Sequence, residues 1–260
     1  MADRLGLVSV SFRKHSPEEI LKAMAGAGLR CIEWGSDIHA PAVDVDRLNA
    51  LAALQKQYGV ACCSYGTYFK LGITPVAELT AYIRGAKILG TDILRLWCGD
   101  KNSEEYTNEE KEALFATCRE VAAVAERENV RLCMECHNHT YTNCPQASLE
   151  LMKAVDSPDF QMYWQPNQYR TDGENLGSAK LLAPYTHRIH VFNWKEKQRF
   201  PLREATDLWR QYLACFTGER TLLLEFMPDD RLQTLPAETA ALKSIIDKLG
   251  FEGDLYAQKI

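Results

Sequence analysis

The chain has 260 residues, of which 46% are hydrophobic, and its formal net charge is −5 at pH 7. This length and apolar content suit one domain with a sizeable core. The acidic balance gives no reason to expect nucleic acid as a partner, although a small phosphorylated ligand would need only a local basic patch.

The nine cysteines do not suggest a disulfide framework, because most fall in or beside predicted buried strands, where a free thiol behaves as a small apolar group. Cys133 and Cys136 form a Cys-x-x-Cys pair on a strand. No second pair accompanies it, so we expect neither a zinc nor a redox role. Met1–Arg4 shows no signal-peptide layout, and no apolar run approaches membrane-spanning length. We therefore expect a cytoplasmic protein with no membrane partner.

Apolar strand-like runs alternate with helix-like segments along the chain. Most of these runs are nearly continuous, which is typical of parallel strands covered on both faces. In chain order, the predicted strands are Gly6–Ser11, Cys31–Gly35, Ala61–Tyr65, Ile93–Cys98, Arg131–His137, Gln161–Gln165, Arg188–Phe192 and Thr221–Phe226.

Helices are predicted between these strands. The first has a clear start signal, with Ser16 as N-cap, proline next and acidic residues in the first turn, and it ends near Gly28. The others are Asp46–Tyr58, Pro75–Leu89, Thr107–Asn129, Ala147–Val155, Gly177–Pro184, Ala205–Phe216 and Pro236–Leu249, before a short tail at Phe251–Ile260.

Eight strand–helix units in succession predict an α/β fold, a (β/α)8 TIM barrel formed by residues 1–260 as a single domain. The main alternative fold is a doubly wound open sheet, which is expected to have a glycine-rich phosphate loop after the first strand. Ser9–Lys14 contains no glycine, so we favour the barrel. In a barrel, functional side chains gather where the strands end.

Four of the later apolar runs carry a polar, metal-capable side chain: Glu135, Gln165, His190 and Glu225. They are separated by 30, 25 and 35 residues, and each interval fits one strand, one helix and their loops. A parallel barrel brings such side chains together at one mouth. Two carboxylates, an imidazole and an amide there would hold a divalent cation.

Other interpretations of these residues remain open. Glu135 and Glu225 could close the barrel mouth in a salt bridge, for example with Arg95 or Arg188. His190 could be a hydrogen-bonded core histidine. The two glutamates could also act as acid and base on a proton next to a carbonyl, with a metal between them.

Side chains near the strand ends are candidates for substrate binding. His137 alternates with Glu135 and is therefore expected on the same face. Trp97 and Trp194 could cover the apolar side of a sugar, or could simply plug the barrel end. Lys195 could bind a phosphate or carboxylate, or remain a solvated loop charge.

The polar residues at the ends of these strands resemble those of a known family. Glu135-Cys136-His137, His190, Glu225 and a polar cluster after the sixth strand resemble the xylose isomerase-like superfamily, and most of all its sugar-phosphate isomerase/epimerase branch. The Ile32–Trp34 end of the second strand fits the same family. The resemblance covers nearly the whole chain. It implies a (β/α)8 barrel that binds Mn²⁺ or Mg²⁺, or else Co²⁺ or Zn²⁺. The family's activities include aldose–ketose isomerisation, C3 epimerisation, dehydration and, in one branch, DNA repair.

The resemblance also implies roles for individual residues. Glu135, His190 and Glu225 would bind the metal, the two glutamates would form the proton-transfer pair of the epimerases, and His137 would bind substrate.

The sixth strand departs from the family pattern, which usually has Asp-x-x-His, with the Asp on the metal and the His on the substrate. Here Gln165 and Gln168 occupy these places. An amide oxygen can bind a hard cation, but the loss of one negative charge predicts weaker metal binding.

The favoured hypothesis is a metal-dependent isomerase or epimerase of a small sugar or sugar phosphate. A dehydratase or lyase acting on a keto-polyol starts with the same proton abstraction, so the sequence barely separates the two. A barrel that has lost metal chemistry and only binds a sugar or a partner is a third hypothesis. An endonuclease is disfavoured, because the chain is acidic and has only six histidines. The oligomeric state is open, a homo-oligomer included.

Overall fold

The computed structural model describes residues 5–218 and 220–257, with side chains as far as residue 249. Eight parallel strands form a barrel, namely β1 (Leu5–Val8), β2 (Cys31–Gly35), β3 (Ala61–Leu71), β4 (Ile93–Cys98), β5 (Arg131–Glu135), β6 (Phe160–Trp164), β7 (Thr186–Val191) and β10 (Thr221–Leu224). The barrel closes in the order β1-β10-β7-β6-β5-β4-β3-β2, which confirms the predicted (β/α)8 fold. Two short strands, β8 (Trp194–Lys195) and β9 (Gln198–Arg199), form an unpredicted antiparallel hairpin after β7.

Eight helices alternate with the barrel strands. They are α1 (Pro17–Ala27), α2 (Val45–Tyr58), α3 (Leu79–Leu89), α4 (Asn108–Glu128), α5 (Pro145–Val155), α6 (Asp172–Leu182), α7 (Thr206–Leu213) and α8 (Leu235–Ala257). The last helix continues through most of the predicted tail, so the expected helix end at Leu249 is wrong. Met1–Arg4, where we expect no signal peptide, and the last three residues of the tail lie outside the described residues.

The first strand is shorter than predicted because serine side chains replace part of its backbone pairing. β1 ends at Val8, and a 3₁₀ turn covers Ser9–Phe12. The Ser9 hydroxyl accepts a hydrogen bond from the backbone N–H of Gly35 at 2.9 Å. The Ser11 hydroxyl accepts one from the backbone of Phe226 at the same distance. Such local side-chain acceptors compete with the strand ladder.

Apolar side chains between the strands and the helices form the main core. A second, smaller cluster comes from the barrel strands and the turn after β1, and consists of Val8, Val10, Cys31, Ile93, Cys133, Tyr163 and Leu223. All nine cysteines are free thiols, as expected for apolar core residues. Among the described helices, none is both long and apolar enough to cross a membrane.

Candidate metal centre

Three of the predicted metal-binding residues converge at the carboxyl end of the barrel. Glu135 is the last residue of β5, His190 lies in β7, and Glu225 directly follows β10. One ligand atom from each of these side chains lies within 4.8 Å of the other two. All three residues are buried, with relative exposures of 4% or less. The strand ends therefore produce the cluster that their spacing predicts.

Gln165, immediately after β6, completes this group. Its Oε1 atom lies 2.8 Å from Nδ1 of His190, while its Nε2 donates to the backbone carbonyl of Cys136 at 3.0 Å. That carbonyl determines which end of the amide faces the site, so the oxygen points to the histidine. Nδ1 of His190 also lies 3.7 Å from Oε1 of Glu135 and 3.5 Å from Oε2 of Glu225. One imidazole nitrogen thus faces three oxygen-bearing side chains.

A buried ion-pair network supports the metal-binding group. Arg95 on β4 donates through Nε to Oε1 of Glu33 at 2.8 Å, and through Nη1 to Oε2 of Glu135. The Ser64 hydroxyl donates to the other oxygen of Glu33 at 2.8 Å. The salt bridge considered for Glu135 is therefore present with Arg95. Arg188, the other partner considered, lies two residues before His190 in β7, and its Nη2 donates to the backbone carbonyl of Cys63 at 3.4 Å.

Gly66 on β3 leaves the space that this network occupies. A Cβ atom at this position would lie 2.6 Å from Oε1 of Glu33 and 2.8 Å from Nη2 of Arg95. Both distances are far inside van der Waals contact, so a side chain here would displace the buried pair. The glycine is needed for this close approach.

The buried charges of the site shift one another's pKa values. Burial by itself raises the pKa of Glu33 and of Glu135, but the Arg95 charge outweighs it and holds both below their usual range. Burial raises the pKa of Glu225, and the Glu135 charge adds to this against the opposing effect of His190. Burial lowers the pKa of His190, but the surrounding carboxylates, Glu225 first, raise it overall.

This electrostatic arrangement fits a divalent cation. Because the pKa values of His190 and Glu225 are raised, both groups hold a proton more readily than usual in the metal-free site. When both are deprotonated, the carboxylates of Glu33, Glu135 and Glu225 and the guanidinium of Arg95 carry a net charge of minus two in a buried place, which a dication would offset. Among the described residues, Nε2 of His190 is buried without a hydrogen-bond partner and lies 3.6 Å from Glu33. A carboxylate behind a histidine in this way orients its other nitrogen toward a metal. The oxygen-rich donor set suits Mn²⁺ or Mg²⁺.

A cavity of about 340 Å³ opens above this group. Its walls include four of the candidate substrate-binding residues, namely Trp97, His137, Gln168 and Trp194. The indole N–H of Trp97 donates to Glu135, and its ring stacks on His137 with 5.0 Å between centroids. Nδ1 of His137 lies 2.6 Å from the carbonyl oxygen of Asn138, to which it donates, so its Nε2 is left as an acceptor.

The structure does not bring Lys195 to this cavity. Its side chain is exposed, and Nζ lies 3.5 Å from a carboxylate oxygen of Asp172. Lys195 lies on the antiparallel hairpin of β8 and β9, which the sequence does not predict. Lys195 does not line the cavity above the metal-binding group, and its binding of a substrate anion stays a prediction.

The pairing of Glu33 with Arg95 is not among the features predicted from the sequence, where Glu33 appears only within the Ile32–Trp34 segment that fits the family. A usable signal was present, because Glu33 and Arg95 each interrupt an otherwise apolar strand. A charged side chain inside a buried strand needs a partner of opposite charge. The sequence could therefore have predicted an ion pair between Glu33 on β2 and Arg95 on β4. Arg13, which also lines the cavity, carries no comparable signal.

Replacing Gln165 by Glu should strengthen divalent-metal binding. The two side chains have the same shape, and the new carboxylate would add one negative charge beside Nδ1 of His190. Affinity for Mn²⁺ should rise by about one order of magnitude, since ligand charge tunes metal affinity. Isothermal titration calorimetry with Mn²⁺ measures the change.

The matched control is Gln168→Glu, which adds the same charge to the cavity wall beyond the metal-binding group. It should change affinity much less. Equal gains in the two variants would mean that general charge in the cavity, and not ligation at position 165, controls binding.

Comparison with known proteins agrees with this architecture. Residues 21–212 match the family model of the xylose isomerase-like TIM barrel. No curated protein sequence matches the chain. The solved structure of the probable 3-DHS dehydratase AsbF from Bacillus anthracis superposes with a TM-score of 0.78 and 17% identity, over 92% of this chain and 98% of that one.

Two further solved structures share the fold. D-psicose 3-epimerase from Clostridium cellulolyticum H10, determined with D-tagatose, has a TM-score of 0.67 and 16% identity over 95% of this chain and 99% of its own. A xylose isomerase-like TIM barrel protein from Mycobacterium smegmatis, in complex with magnesium, has a TM-score of 0.67 and 15% identity over 92% of both chains. At these identities the likeness concerns the fold alone, whereas the family model covers most of the sequence. The chain belongs to the xylose isomerase-like TIM barrel family.

Proposed function

We propose that the protein is a metal-dependent enzyme that removes a proton next to the carbonyl of a small sugar or sugar phosphate, as an isomerase or epimerase. The observation that carries this proposal is the buried cluster of Glu135, His190 and Glu225, with Gln165 turned toward it. A dication would offset the net charge of minus two that Glu33, Glu135, Glu225 and Arg95 carry when His190 and Glu225 are deprotonated. The cavity above the cluster has the size of a small-molecule site.

Two observations support a sugar as the substrate. D-psicose 3-epimerase structures that share the fold were determined with the ketoses D-tagatose and D-fructose. The cavity wall combines aromatic faces with hydrogen-bonding groups, which suits a polyhydroxylated ligand. Trp97 and Trp194 supply the aromatic faces, and His137 and Gln168 supply polar atoms.

Each residue of the site has a role in this proposal. A divalent cation held by Glu135, Gln165, His190 and Glu225 would polarise the substrate carbonyl and stabilise the enediolate. The carboxylates of Glu135 and Glu225 take and return the proton on carbon.

The surroundings keep these groups in position. Nε2 of His137 accepts a hydrogen bond from a substrate hydroxyl, while stacking on Trp97 fixes the ring. Glu33 and Arg95 hold His190 and Glu135 from behind.

A dehydratase is the second candidate, and one observation favours it. The two glutamates have unequal surroundings. Glu135 accepts hydrogen bonds from both Arg95 and Trp97, and its pKa is lowered, whereas the pKa of Glu225 is raised by burial. Carboxyls whose pKa values are pushed apart suit separate acid and base roles. Elimination of a hydroxyl group next to the abstracted proton uses such a division of roles, whereas a symmetric two-base epimerisation does not require it.

The test combines metal analysis with proton exchange. Purified protein should contain close to one equivalent of a divalent metal, and removal by a chelator should abolish deuterium incorporation from D₂O into ketoses and ketose phosphates. Adding Mn²⁺ or Mg²⁺ should restore it. Deuterium incorporation into a sugar that keeps all its hydroxyl groups supports the isomerase or epimerase. Elimination of water from the sugar supports the dehydratase. Binding of a sugar with no exchange in the metal-loaded protein would refute both and leave a binding protein.

A further inference from the structure

Arg13, at the wall of the cavity above the metal-binding group, has no role in the chemistry proposed above. It follows the 3₁₀ turn after β1, and 37% of its side chain is exposed. The described lining of the cavity contains one further arginine, Arg95, and no lysine. Arg95 is buried and already donates to Glu33 and Glu135. Among the described residues of the cavity wall, Arg13 is therefore the permanent positive charge that a ligand can reach.

Three contacts hold the Arg13 guanidinium in one orientation. Nε donates to Oδ2 of Asp37 at 2.6 Å, Nη2 donates to the hydroxyl oxygen of Tyr68 at 2.6 Å, and Nη1 donates to the carbonyl oxygen of Val10 at 3.3 Å. The Tyr68 hydroxyl in turn donates to the same Asp37 oxygen at 3.1 Å. These partners lie on β3 and just after β1 and β2, so the guanidinium is in place before a ligand arrives. Such preorganisation reduces the entropy that binding costs.

The same contacts leave donors available for a ligand. A guanidinium has five N–H groups, and contacts with the described part of the chain use three of them, so one N–H of Nη1 and one of Nη2 remain. Two such groups match the oxygens of a carboxylate or a phosphate. Asp37 offsets the charge of Arg13, but it is not among the described residues that line the cavity. A ligand in the cavity therefore meets the guanidinium and not the carboxylate that is paired with it.

An aromatic wall connects Arg13 with the metal-binding group. The Tyr68 ring, whose hydroxyl contacts Arg13, lies 5.3 Å from the Trp97 ring between centroids. The Trp97 indole donates to Glu135. A substrate that covers Trp97 with its apolar face, and whose carbonyl lies at the metal-binding group, thus points its other end toward Arg13.

The charges of the site permit an anionic group there. A dication would offset the net charge of minus two that the buried groups carry when His190 and Glu225 are deprotonated. The loaded centre would then not repel an anion at the cavity wall. Arg13 adds a local positive potential that attracts one.

We propose that Arg13 binds an anionic group, a carboxylate or a phosphate, at the end of the substrate away from the reacting carbonyl. Recognition comes from its two remaining N–H donors, held in place by Asp37, Tyr68 and Val10. A hydroxyl group in the same place would accept a hydrogen bond but would gain no charge attraction. The substrate is then a sugar phosphate or a sugar acid and not a neutral sugar, and this conclusion rests on the proposed function.

The test compares three ketoses that differ only at the carbon farthest from the carbonyl group. D-fructose has a hydroxyl group there, D-fructose 6-phosphate a phosphate and D-fructuronate a carboxylate. Isothermal titration calorimetry measures their binding to the Mg²⁺-loaded parent and to Arg13→Gln at constant ionic strength. The parent should bind at least one acidic ketose about tenfold more tightly than D-fructose, the gain expected of a charge-assisted hydrogen bond. Arg13→Gln should lose this preference and bind D-fructose like the parent.

The matched control is Arg84→Gln, which changes an exposed arginine on α3 and should keep the preference of the parent. A preference for phosphate would identify a sugar phosphate as the ligand, and a preference for carboxylate would identify a sugar acid. An acidic ketose that binds through the metal alone would keep its advantage in Arg13→Gln. That result, or equal binding of all three ketoses by the parent, would overturn the role of Arg13.

Deuterium incorporation from D₂O, measured on the same three ketoses, separates this role from the proposed function. Exchange without an Arg13-dependent preference for an acidic ketose would refute the role of Arg13 and leave the proposed function standing. An Arg13-dependent preference without exchange in any ketose would refute the proposed chemistry and leave the anion site standing. Failure of all three ketoses to bind would overturn both.

Discussion

Replacing Glu225 by Gln should reduce deuterium incorporation next to the substrate carbonyl by at least about two orders of magnitude, the effect typical of losing a general base. Glu225 is the stronger candidate base, because its pKa is raised and it is not tied to an arginine. Glutamine keeps the size of the side chain and removes its basicity. Proton NMR in D₂O measures the exchange on any substrate that the parent turns over.

The same measurement on Glu135→Gln separates the two proposed reactions. A two-base epimerase loses exchange in both variants, because each carboxylate serves one face of the substrate. If only Glu225→Gln loses exchange, a single base acts and the dehydratase or a one-base isomerase is the better account. Both variants change a metal-binding residue, so metal content must be measured alongside exchange.

The control for these variants is Glu238→Gln, which changes another buried glutamate far from the cavity. Glu238 accepts a hydrogen bond from the backbone of Leu202 at 2.9 Å, and a glutamine oxygen can still accept it. Exchange should remain at the parent level. Full exchange in both Glu135→Gln and Glu225→Gln would mean that the chemistry takes place elsewhere.

The barrel and the outline of its site follow from the sequence for a simple physical reason. Parallel strands buried on both faces are continuous apolar runs, so a polar residue such as Glu135 or Glu225 marks where each run ends. The strand spacing then places these residues at one mouth. Local sequence thus contains the positions of the metal-capable groups.

Other features depend on contacts between distant segments and were not predictable in this way. The direction of the Gln165 amide is determined by the carbonyl of Cys136, 29 residues earlier in the chain. Arg95 on β4 pairs with Glu33 on β2 and with Glu135 on β5, and these contacts need the space left by Gly66 on β3. Each is set by tertiary packing, which propensity and periodicity do not describe.

Replacing Arg95 by Met should lower the free energy of unfolding by about 3–5 kcal/mol, the cost expected when one partner of a buried ion pair is removed. The arginine and Glu33 side chains are 4% and 0% exposed, so the carboxylates of Glu33 and Glu135 would remain buried without their cation. Methionine preserves most of the packing volume. Urea denaturation of the metal-free protein measures the loss.

Two variants show whether charge or packing is responsible. Arg13→Met removes the guanidinium of a more exposed pair, with Asp37, whose side chains are 37% and 18% exposed, and it should cost no more than about 1 kcal/mol. Arg95→Lys keeps the buried charge and should recover part of the stability.

The same variants connect stability with the metal centre. In Arg95→Met, the carboxylates of Glu33 and Glu135 remain buried without their arginine, and a bound dication would neutralise part of their charge. Saturating Mn²⁺ should therefore stabilise this variant more than the parent. If Arg95→Met proves as stable as Arg13→Met, the buried carboxylates are not held in their charged form by the arginine. The three buried carboxylates would then not carry the negative charge that a dication is proposed to offset.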